Sequence, residues 1–315
     1  MNISREHRVV GRFAPSPTGA LHIGSLVAAV GSYLMAKHAG GLWLLRLDDL
    51  DAPRQRVGMA DDIMRTLESF GLLWDGEAVR QSRHTGEYGQ AFESLQQAGV
   101  IYPCGCSRRE IALVSSAPHL DDEALPYPNT CRAGMRRGAS IRSWRLMVPD
   151  GEICFKDLRL GDISQNISRI CGDFIVRRGD GEFAYQLAVV VDDHLTGVTQ
   201  VVRGEDLIAS TPRQIYIQSV LGYQQPEYCH LPLVTAPGGA KLSKRDNLIS
   251  HQLGNVRGGE GRLLFDVLRF LGQNPPVGLE RSSCGEVLDW GVNHFDAGLV
   301  PCVGGAIPVK TNNNG

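Results

Sequence analysis

The chain has 315 residues and a net charge of −2, and it is 43% hydrophobic and 21% charged. These values are typical of a soluble globular enzyme with one large domain or two ordinary ones. The small net charge excludes a general attraction to nucleic acid, so an RNA partner would need a local basic patch. Because the sequence has neither a secretory signal nor an apolar run long enough to span a membrane, we expect a cytoplasmic protein without membrane attachment whose eight cysteines are reduced.

The first predicted element is a strand that ends at Val10, and the stretch RFAPSPTGALHIGS follows it over residues 12–25. Two prolines in this stretch exclude a continuing strand or helix, and its glycines allow the backbone to approach a ligand. An apolar helix is predicted over residues 25–38, and the free N–H groups at the start of a helix attract phosphate. Since His22 directly precedes this helix, we predict a phosphate-binding site here.

An apolar strand with an acidic end is predicted next. Residues 42–47 are apolar apart from Arg46, as in a parallel strand that is covered on both faces. The strand leads into DDLD at residues 48–51, and open α/β sheets bind ligands at such carboxyl ends. The alternative is a set of solvated turn carboxylates. Two amphipathic helices follow, over residues 61–70 and 85–98, and their apolar faces indicate core packing.

Three cysteines, Cys104, Cys106 and Cys131, lie close together in the middle of the chain. Thiolates suit Zn²⁺, but a closed structural site needs a fourth ligand, and the histidine in the interval, His119, lies in an acidic loop. A zinc site and three ordinary buried cysteines are therefore both open. Arginines cluster in the same segment and either follow a phosphate backbone or form a solvated surface. They are Arg132, Arg136, Arg137, Arg142 and Arg145.

The second half of the chain alternates predicted strands and helices. Residues 173–177 are predicted to form a strand, and the apolar run 183–193, which ends in two carboxylates, is predicted to be a covered strand. Residues 198–206 are likewise predicted to form a covered strand that ends in two carboxylates. A helix is then predicted to begin with Thr211 as N-cap and Pro212 at the first helical position.

A basic loop and two helices complete the chain. KLSKR at residues 241–245 follows a flexible PGG, and a loop with two lysines can close over a triphosphate, although a short basic stretch is often only surface. Helices are predicted over residues 262–271 and 287–295. We expect the asparagine-rich tail to be disordered.

Two of these stretches resemble one family. Residues 12–25 are similar to the nucleotide-binding signature of class I aminoacyl-tRNA synthetases, with HIGS at residues 22–25 as a variant of their His-Ile-Gly-His motif. The RFAPSPTG part resembles the glutamyl/glutaminyl branch. KLSKR is similar to the family's Lys-Met-Ser-Lys-Ser loop, with Arg245 in place of the last serine. The resemblance extends over most of the chain.

The resemblance implies an α/β fold with a Rossmann-like, doubly wound parallel sheet, a zinc-containing insertion and a short helical C-terminal region. The implied divisions are a first half of the catalytic core at residues 1–100 and a zinc-binding insertion at 101–172. A second half of the core at 173–250 and a helical, stem-contact-like region with a disordered tail at 251–315 follow.

The resemblance also implies roles for residues that match the family's motifs. The expected catalytic residues are His22 and Lys244. The expected ATP contacts are Pro15, His22, Gly24, Ser25, Lys241, Ser243 and Lys244, with Mg²⁺ accompanying ATP. The expected glutamate contacts are Arg12, Phe13, Ala14, Pro15, Ser16, Asp48, Tyr185 and Arg203, where Asp48 replaces a family glutamate and Arg203 pairs with the substrate's side-chain carboxylate. The expected ligands of one structural zinc ion are Cys104, Cys106, Tyr127 and Cys131.

Within this branch, the sequence is most similar to a stand-alone paralogue without an anticodon-binding domain, because residues 246–315 leave no room for that domain beside a stem-contact region. The expected activity is ATP-dependent conversion of L-glutamate to glutamyl-adenylate, followed by transfer of glutamate to the queuosine base at the wobble position of tRNA(Asp), by a monomer. The alternatives are a truncated glutamyl-tRNA synthetase that charges the 3′ end of tRNA(Glu), a small-molecule nucleotidylyltransferase, and a non-catalytic zinc module that binds RNA.

Overall fold

A computed structural model describes residues 8–107, 109–111, 126–235 and 259–307. The described strands are β1 (Val10–Phe13), β2 (Leu42–Leu47), β3 (Val79–Arg80), β4 (Ile101–Cys104), β5 (Ser143–Leu146), β6 (Ile153–Asp157), β7 (Gly161–Gln165), β8 (Phe174–Arg178), β9 (Gln200–Gly204) and β10 (Glu227–Leu231). The described α-helices are α1 (Ile23–His38), α2 (Met59–Ser69), α3 (Thr85–Gln97), α4 (Ile167–Ile170), α5 (Tyr185–Leu195), α6 (Thr211–Leu221), α7 (Glu260–Phe270) and α8 (Cys284–His294).

The main sheet has seven strands in the order β3-β2-β1-β9-β10-β6-β7. All neighbours are parallel except β6 and β7, which form an antiparallel hairpin at one edge. The chain moves outward from β1 in one direction through β2 and β3, and in the other direction through β9 and β10. The doubly wound α/β fold expected from the sequence is thereby confirmed, and its switch point lies between β1 and β9, where such sheets bind ligands.

A second, smaller sheet has the antiparallel order β4-β5-β8. Within the range 101–172 that the sequence proposes as an insertion, β4 and β5 belong to this small sheet, whereas β6 and β7 extend the main sheet. The domain limits therefore stay a prediction.

The main core lies between α1 and the sheet. Residues such as Leu26, Val30 and Leu34 of α1 are fully buried, and α7 and α8 pack on the same helix from the other side. Gly31 permits the closest approach, because a Cβ there would lie 2.5 Å from Leu231 Cδ1 of β10. Among the described helices, none combines the length and apolarity that crossing a bilayer requires.

Most predicted elements are confirmed within a few residues, including β2, α2, α3, α7 and α8. Three predictions are wrong in detail. The first strand does not end at Val10 but begins there, so the signature itself supplies residues of β1. The predicted strand over 183–193 is helix α5. Thr211 is the first residue of α6 rather than its N-cap, which is Ser210.

The error at α5 has a physical cause. The five residues from Leu187 to Val191 are each at most 1% exposed, so the middle of this helix is buried on all sides. A helix without a polar face gives a continuous apolar run, which periodicity cannot distinguish from a covered strand.

Candidate active site

A cavity of about 780 Å³ opens at the carboxyl ends of β1 and β9. Ten of the predicted ATP- and glutamate-binding residues line it together: Arg12, Phe13, Ala14, Pro15, Ser16, His22, Gly24, Ser25, Tyr185 and Arg203. Asp48 lines an adjoining cavity, described below. Lys241, Ser243 and Lys244 lie outside the described residues. The switch point of the sheet thus brings together residues from distant parts of the chain.

The start of α1 forms one wall of this cavity. His22 is the N-cap of α1, and its Nδ1 accepts a hydrogen bond from the Ser25 N–H at 3.2 Å. In a neutral ring, that bond places the proton on Nε2. A Cβ on Gly24 would lie 3.1 Å from His22 Cε1, so a larger residue at this position would crowd the imidazole ring. This arrangement presents a helix N-terminus and an imidazole to one cavity, which suits an anion.

A buried charge network lies behind the opposite wall. Arg12 contacts Asp193 through Nε and Nη2, both at 3.2 Å, and Arg46 Nη1 contacts the same carboxylate at 2.5 Å. Arg46 Nε also donates to Asp48 at 2.7 Å and lies 3.6 Å from Asp192. Their side chains are at most 7% exposed. These five groups comprise two guanidiniums and three carboxyls. When all are ionised, the carboxylates outnumber the guanidiniums by one, so a further cation would neutralise the network.

Burial and pairing act in opposite directions on these carboxyls. Burial raises the pKa of Asp193, but the charges of Arg12 and Arg46 outweigh it and hold that pKa below its usual value. For Asp48 burial prevails over the attraction of Arg46 and raises the pKa to about 6. Asp193 is therefore a firmly ionised anchor, whereas Asp48 titrates closer to neutral pH than Asp193 does.

Asp192 is held separately from the cavity. It accepts hydrogen bonds from Gln81 Nε2 at 2.7 Å and from the Tyr88 hydroxyl at 2.8 Å, and His84 Nδ1 lies 2.7 Å away. The two adjacent carboxylates at the end of α5 both lie near Arg46, but Asp193 also pairs with Arg12, whereas Asp192 contacts Gln81, Tyr88 and His84.

Arg203 on β9 is buried next to Tyr185, which is 40% exposed. Its Nη2 donates to Thr211 Oγ1 at 2.7 Å and its Nε donates to His230 Nε2 at 3.3 Å. Its Nη1 is buried and has no hydrogen-bond partner among the described residues. Leaving such a donor unsatisfied is costly, and a ligand carboxylate would satisfy it.

An alternative structural role for Arg203, pairing with Glu205 or Asp206, is not observed. Glu205 pairs with Arg159, and no carboxylate in the described part of the chain lies within salt-bridge distance of Arg203. The guanidinium faces the cavity as an unneutralised charge.

A second cavity, of about 1080 Å³, adjoins the first and shares Ser16 and Tyr185 with it. Asp48 lies on its wall near the end of β2, and the small sheet forms the far side. Its charged lining consists of Asp48, Asp51, Arg54, Arg142, Arg145, Arg178, Asp180 and Glu182. Because the two cavities share Ser16 and Tyr185, a bulky ligand in the second cavity would contact a ligand that is bound beside Tyr185 in the first.

The cysteines predicted to bind a metal converge. The Sγ atoms of Cys104, Cys106 and Cys131 lie within 4.8 Å of one another. The Tyr127 hydroxyl lies 3.3 Å from Cys104 Sγ and 3.6 Å from Cys106 Sγ. For tetrahedral Zn²⁺, metal–ligand distances of about 2.3 Å to sulfur and about 2.0 Å to oxygen give ligand–ligand separations of about 3.5–3.8 Å. The two sulfur–oxygen distances and the Cys106–Cys131 Sγ distance of 3.5 Å lie in or near this range, so the cluster is compact enough for one such ion.

Arg145 supports this cluster rather than a phosphate backbone. It is buried, its guanidinium lies 3.7 Å over the Tyr127 ring, and its Nε donates to Cys104 Sγ at 3.4 Å. Burial raises the pKa of Cys104, but hydrogen bonds from Tyr127, the backbone and Arg145 lower it to about 7. The arginine cluster is therefore divided, since Arg136, Arg137 and Arg142 are exposed while Arg145 is not.

Comparisons with known proteins agree with this geometry. The family model described as tRNA synthetases class I (E and Q), catalytic domain, matches residues 8–280. Glutamyl-Q tRNA(Asp) synthetases from Geobacter sulfurreducens and Dechloromonas aromatica are 56% and 50% identical, covering 93% and 92% of this chain and 94% and 95% of theirs. A solved glutamate tRNA ligase from Elizabethkingia meningosepticum, in complex with its amino acid, superposes with a TM-score of 0.79 at 26% identity, covering 96% of this chain and 67% of that one. The chain therefore belongs to the class I (E and Q) tRNA synthetases and, within them, to the glutamyl-Q tRNA(Asp) synthetase family.

Proposed function

We propose that this protein activates L-glutamate with ATP, forming glutamyl-adenylate and pyrophosphate, and transfers the glutamate to the queuosine base at the wobble position of tRNA(Asp). The observation that carries the proposal is the unneutralised Arg203 guanidinium in a cavity that also holds the His22 and α1 anion site. A carboxylate and a phosphate chain would lie side by side there. The names of the relatives supply the acceptor.

In the activation step, an oxygen of the substrate's α-carboxylate attacks the α-phosphorus of ATP, and the bond to pyrophosphate breaks. Arg203 and Tyr185 hold the side-chain carboxylate, Arg12 and Ser16 hold the reacting end, and Asp48 receives the ammonium. His22 and the start of α1 bind phosphate, and Lys244 neutralises the departing pyrophosphate. Mg²⁺ accompanies ATP and neutralises phosphate charge. Rate acceleration then comes from positioning and from electrostatic stabilisation rather than from acid–base chemistry.

In the transfer step, the acceptor nucleoside approaches through the second cavity. That cavity opens beside Tyr185 and Ser16, where the activated carbonyl would lie, and its exposed arginines suit an RNA backbone. A hydroxyl of the queuosine ring attacks the carbonyl carbon, an ester forms and AMP leaves.

The activation half is tested by glutamate-dependent exchange of labelled pyrophosphate into ATP. We expect exchange with L-glutamate and little with L-glutamine or L-aspartate. Exchange that depends on another small molecule and not on glutamate would instead support a small-molecule nucleotidylyltransferase.

Glutamate binding should depend on the ionisation of Asp48. Because burial raises the pKa of Asp48 to about 6, this carboxyl becomes protonated as the pH falls through 6, whereas the substrate ammonium stays charged. We expect the KM for glutamate to rise by about tenfold for each pH unit well below that pKa. Asp48→Asn should show a raised KM at pH 7.5 and no such pH dependence, and Asp48→Glu should retain it. The same acid profile in Asp48→Asn and the wild type would contradict the assignment.

We also propose that Cys104, Cys106, Cys131 and Tyr127 hold one structural Zn²⁺. We expect one equivalent of zinc per chain by elemental analysis, loss of zinc from Cys131→Ser during dialysis against a chelator, and at least about tenfold weaker zinc affinity in Tyr127→Phe. Cys154→Ser, which alters an exposed cysteine, is the matched control. Unchanged affinity in Tyr127→Phe would remove the tyrosine from the ligand set.

One observation favours a second function, charging of the 3′ end of tRNA(Glu). The main fold superposes on glutamate tRNA ligases, although the chain spans only 67% of the length of the one compared above. The identity of the acceptor therefore separates the two functions.

A further inference from the structure

A chain of buried hydrogen bonds runs behind Arg203, away from the cavity. Asp157 at the end of β6 contacts His230 of β10, and His230 contacts both Thr211 of α6 and Arg203 of β9. All four side chains are at most 5% exposed, and Asp157, Thr211 and His230 are at most 1% exposed. Buried polar groups are costly unless they are hydrogen-bonded, and a fully bonded network of this kind holds its members in one geometry, here next to Arg203.

The network fixes which nitrogen of His230 carries the proton. Asp157 Oδ2 accepts hydrogen bonds from the His230 backbone N–H at 3.0 Å and from its Nδ1 at 2.7 Å. Asp157 Oδ1 accepts from the backbone N–H groups of Arg159 and Leu160. The carboxylate is therefore an acceptor on both oxygens, Nδ1 carries the proton, and Nε2 is left as an acceptor. Burial lowers the pKa of His230, which favours this neutral ring.

The acceptor on His230 holds one edge of the Arg203 guanidinium. Nε2 lies 3.3 Å from Arg203 Nε and 2.9 Å from Thr211 Oγ1, and the Thr211 oxygen accepts from Arg203 Nη2 at 2.7 Å. The N-cap of α6 is Ser210 and not Thr211, and the Thr211 hydroxyl contacts Arg203 and His230 instead. With the Nε–Nη2 edge anchored in the protein, Nη1 is left as a buried donor without a hydrogen-bond partner among the described residues, on a side chain that lines the cavity.

We propose that Asp157, His230 and Thr211 are positioning residues that orient Arg203 for the substrate's side-chain carboxylate and thereby set selectivity for glutamate over glutamine. This inference rests on the proposed function. A guanidinium gives directional recognition only when its planar fork is held in one orientation. Releasing the anchored edge lets Arg203 rotate within the cavity, so the contact that separates a carboxylate from an amide weakens, while the ATP half of the site stays intact.

The test uses a matched pair, Thr211→Val and Thr211→Ser, in the full chain. Valine keeps the shape of threonine but removes the hydroxyl, and serine keeps the hydroxyl. In pyrophosphate exchange, Thr211→Val should raise the KM for glutamate about 10- to 100-fold, the range expected for losing a hydrogen bond to a charged group. The KM for ATP should stay within about twofold, the preference for glutamate over glutamine should fall, and Thr211→Ser should restore both quantities.

The outcomes separate this inference from the function it rests on. Equal glutamate KM values in the valine and serine variants, or parallel changes in the KM for glutamate and for ATP, would overturn the positioning role alone. A wild-type chain without glutamate-dependent exchange would overturn the proposed function together with it. If Thr211→Val does not fold, His230→Asn keeps the donor toward Asp157 and removes the acceptor toward Arg203. The same selective rise in glutamate KM is then expected, and an unchanged KM would refute the proposal.

Discussion

Replacing Arg203 with alanine is expected to lower kcat/KM for glutamate-dependent pyrophosphate exchange by at least about 100-fold. Removing one member of a buried charge pair costs about 2–5 kcal/mol or more at an interface, and this variant would remove the guanidinium that the substrate carboxylate is proposed to contact. Arg203→Lys should recover little of the loss, because an ammonium keeps the charge but not the fork that Thr211 and His230 hold.

The matched control is Arg65→Ala. Arg65 is 68% exposed and forms a surface pair with Asp62 on α2, so this variant should exchange like the wild type. Wild-type exchange in Arg203→Ala would contradict the assignment of the carboxylate site. That result would not contradict the ATP site proposed at the start of α1.

Asp193→Asn is expected to lower both stability and glutamate affinity. Asp193 pairs with two buried guanidiniums, Arg12 and Arg46, and breaking a buried pair by removing one partner costs about 3–5 kcal/mol of unfolding free energy. Because the pKa of Asp193 lies below its usual value, this stabilisation is present at neutral pH and is lost only as the pH falls through the folded-state pKa. The KM for glutamate should rise as well, since Arg12 loses its anchor.

Urea unfolding at pH 7.5 measures the effect on stability. Asp62→Asn, which removes one partner of the exposed pair with Arg65, should change the unfolding free energy by no more than about 1 kcal/mol. A similarly small change in Asp193→Asn would show that the buried network contributes little to the fold.

The sequence carries strong information about the cavity wall formed by β1 and α1. The residues of that wall are consecutive, so the order of proline, glycine and histidine determines a local structure, and the start of α1 lies two residues from its predicted position. The amphipathic helices α2 and α3 were similarly predictable, because their apolar residues recur at helical spacing. Strand β2 was predicted from a short apolar run that ends in carboxylates.

The interior of the site was not predictable in this way. Arg46 and Asp193 meet across 147 positions of sequence, and His230 meets Asp157 across 73. A local pattern cannot identify such pairs. One signal was present, since Arg46 interrupts an apolar strand and Asp192-Asp193 end an apolar run, and charges within buried segments require partners. Which charge pairs with which depends on the sheet order, and that is known only from the fold.

Transfer of labelled glutamate identifies the acceptor. Queuosine-containing tRNA(Asp), unmodified tRNA(Asp) and tRNA(Glu) are each compared intact and after removal of the terminal 3′ adenosine, which abolishes ordinary charging. If the acceptor is the queuosine base, we expect label on queuosine-containing tRNA(Asp) whether or not the adenosine is present, and none on the other two. Label that appears on tRNA(Glu) and disappears with its 3′ adenosine would refute this acceptor and identify a 3′-charging glutamyl-tRNA synthetase.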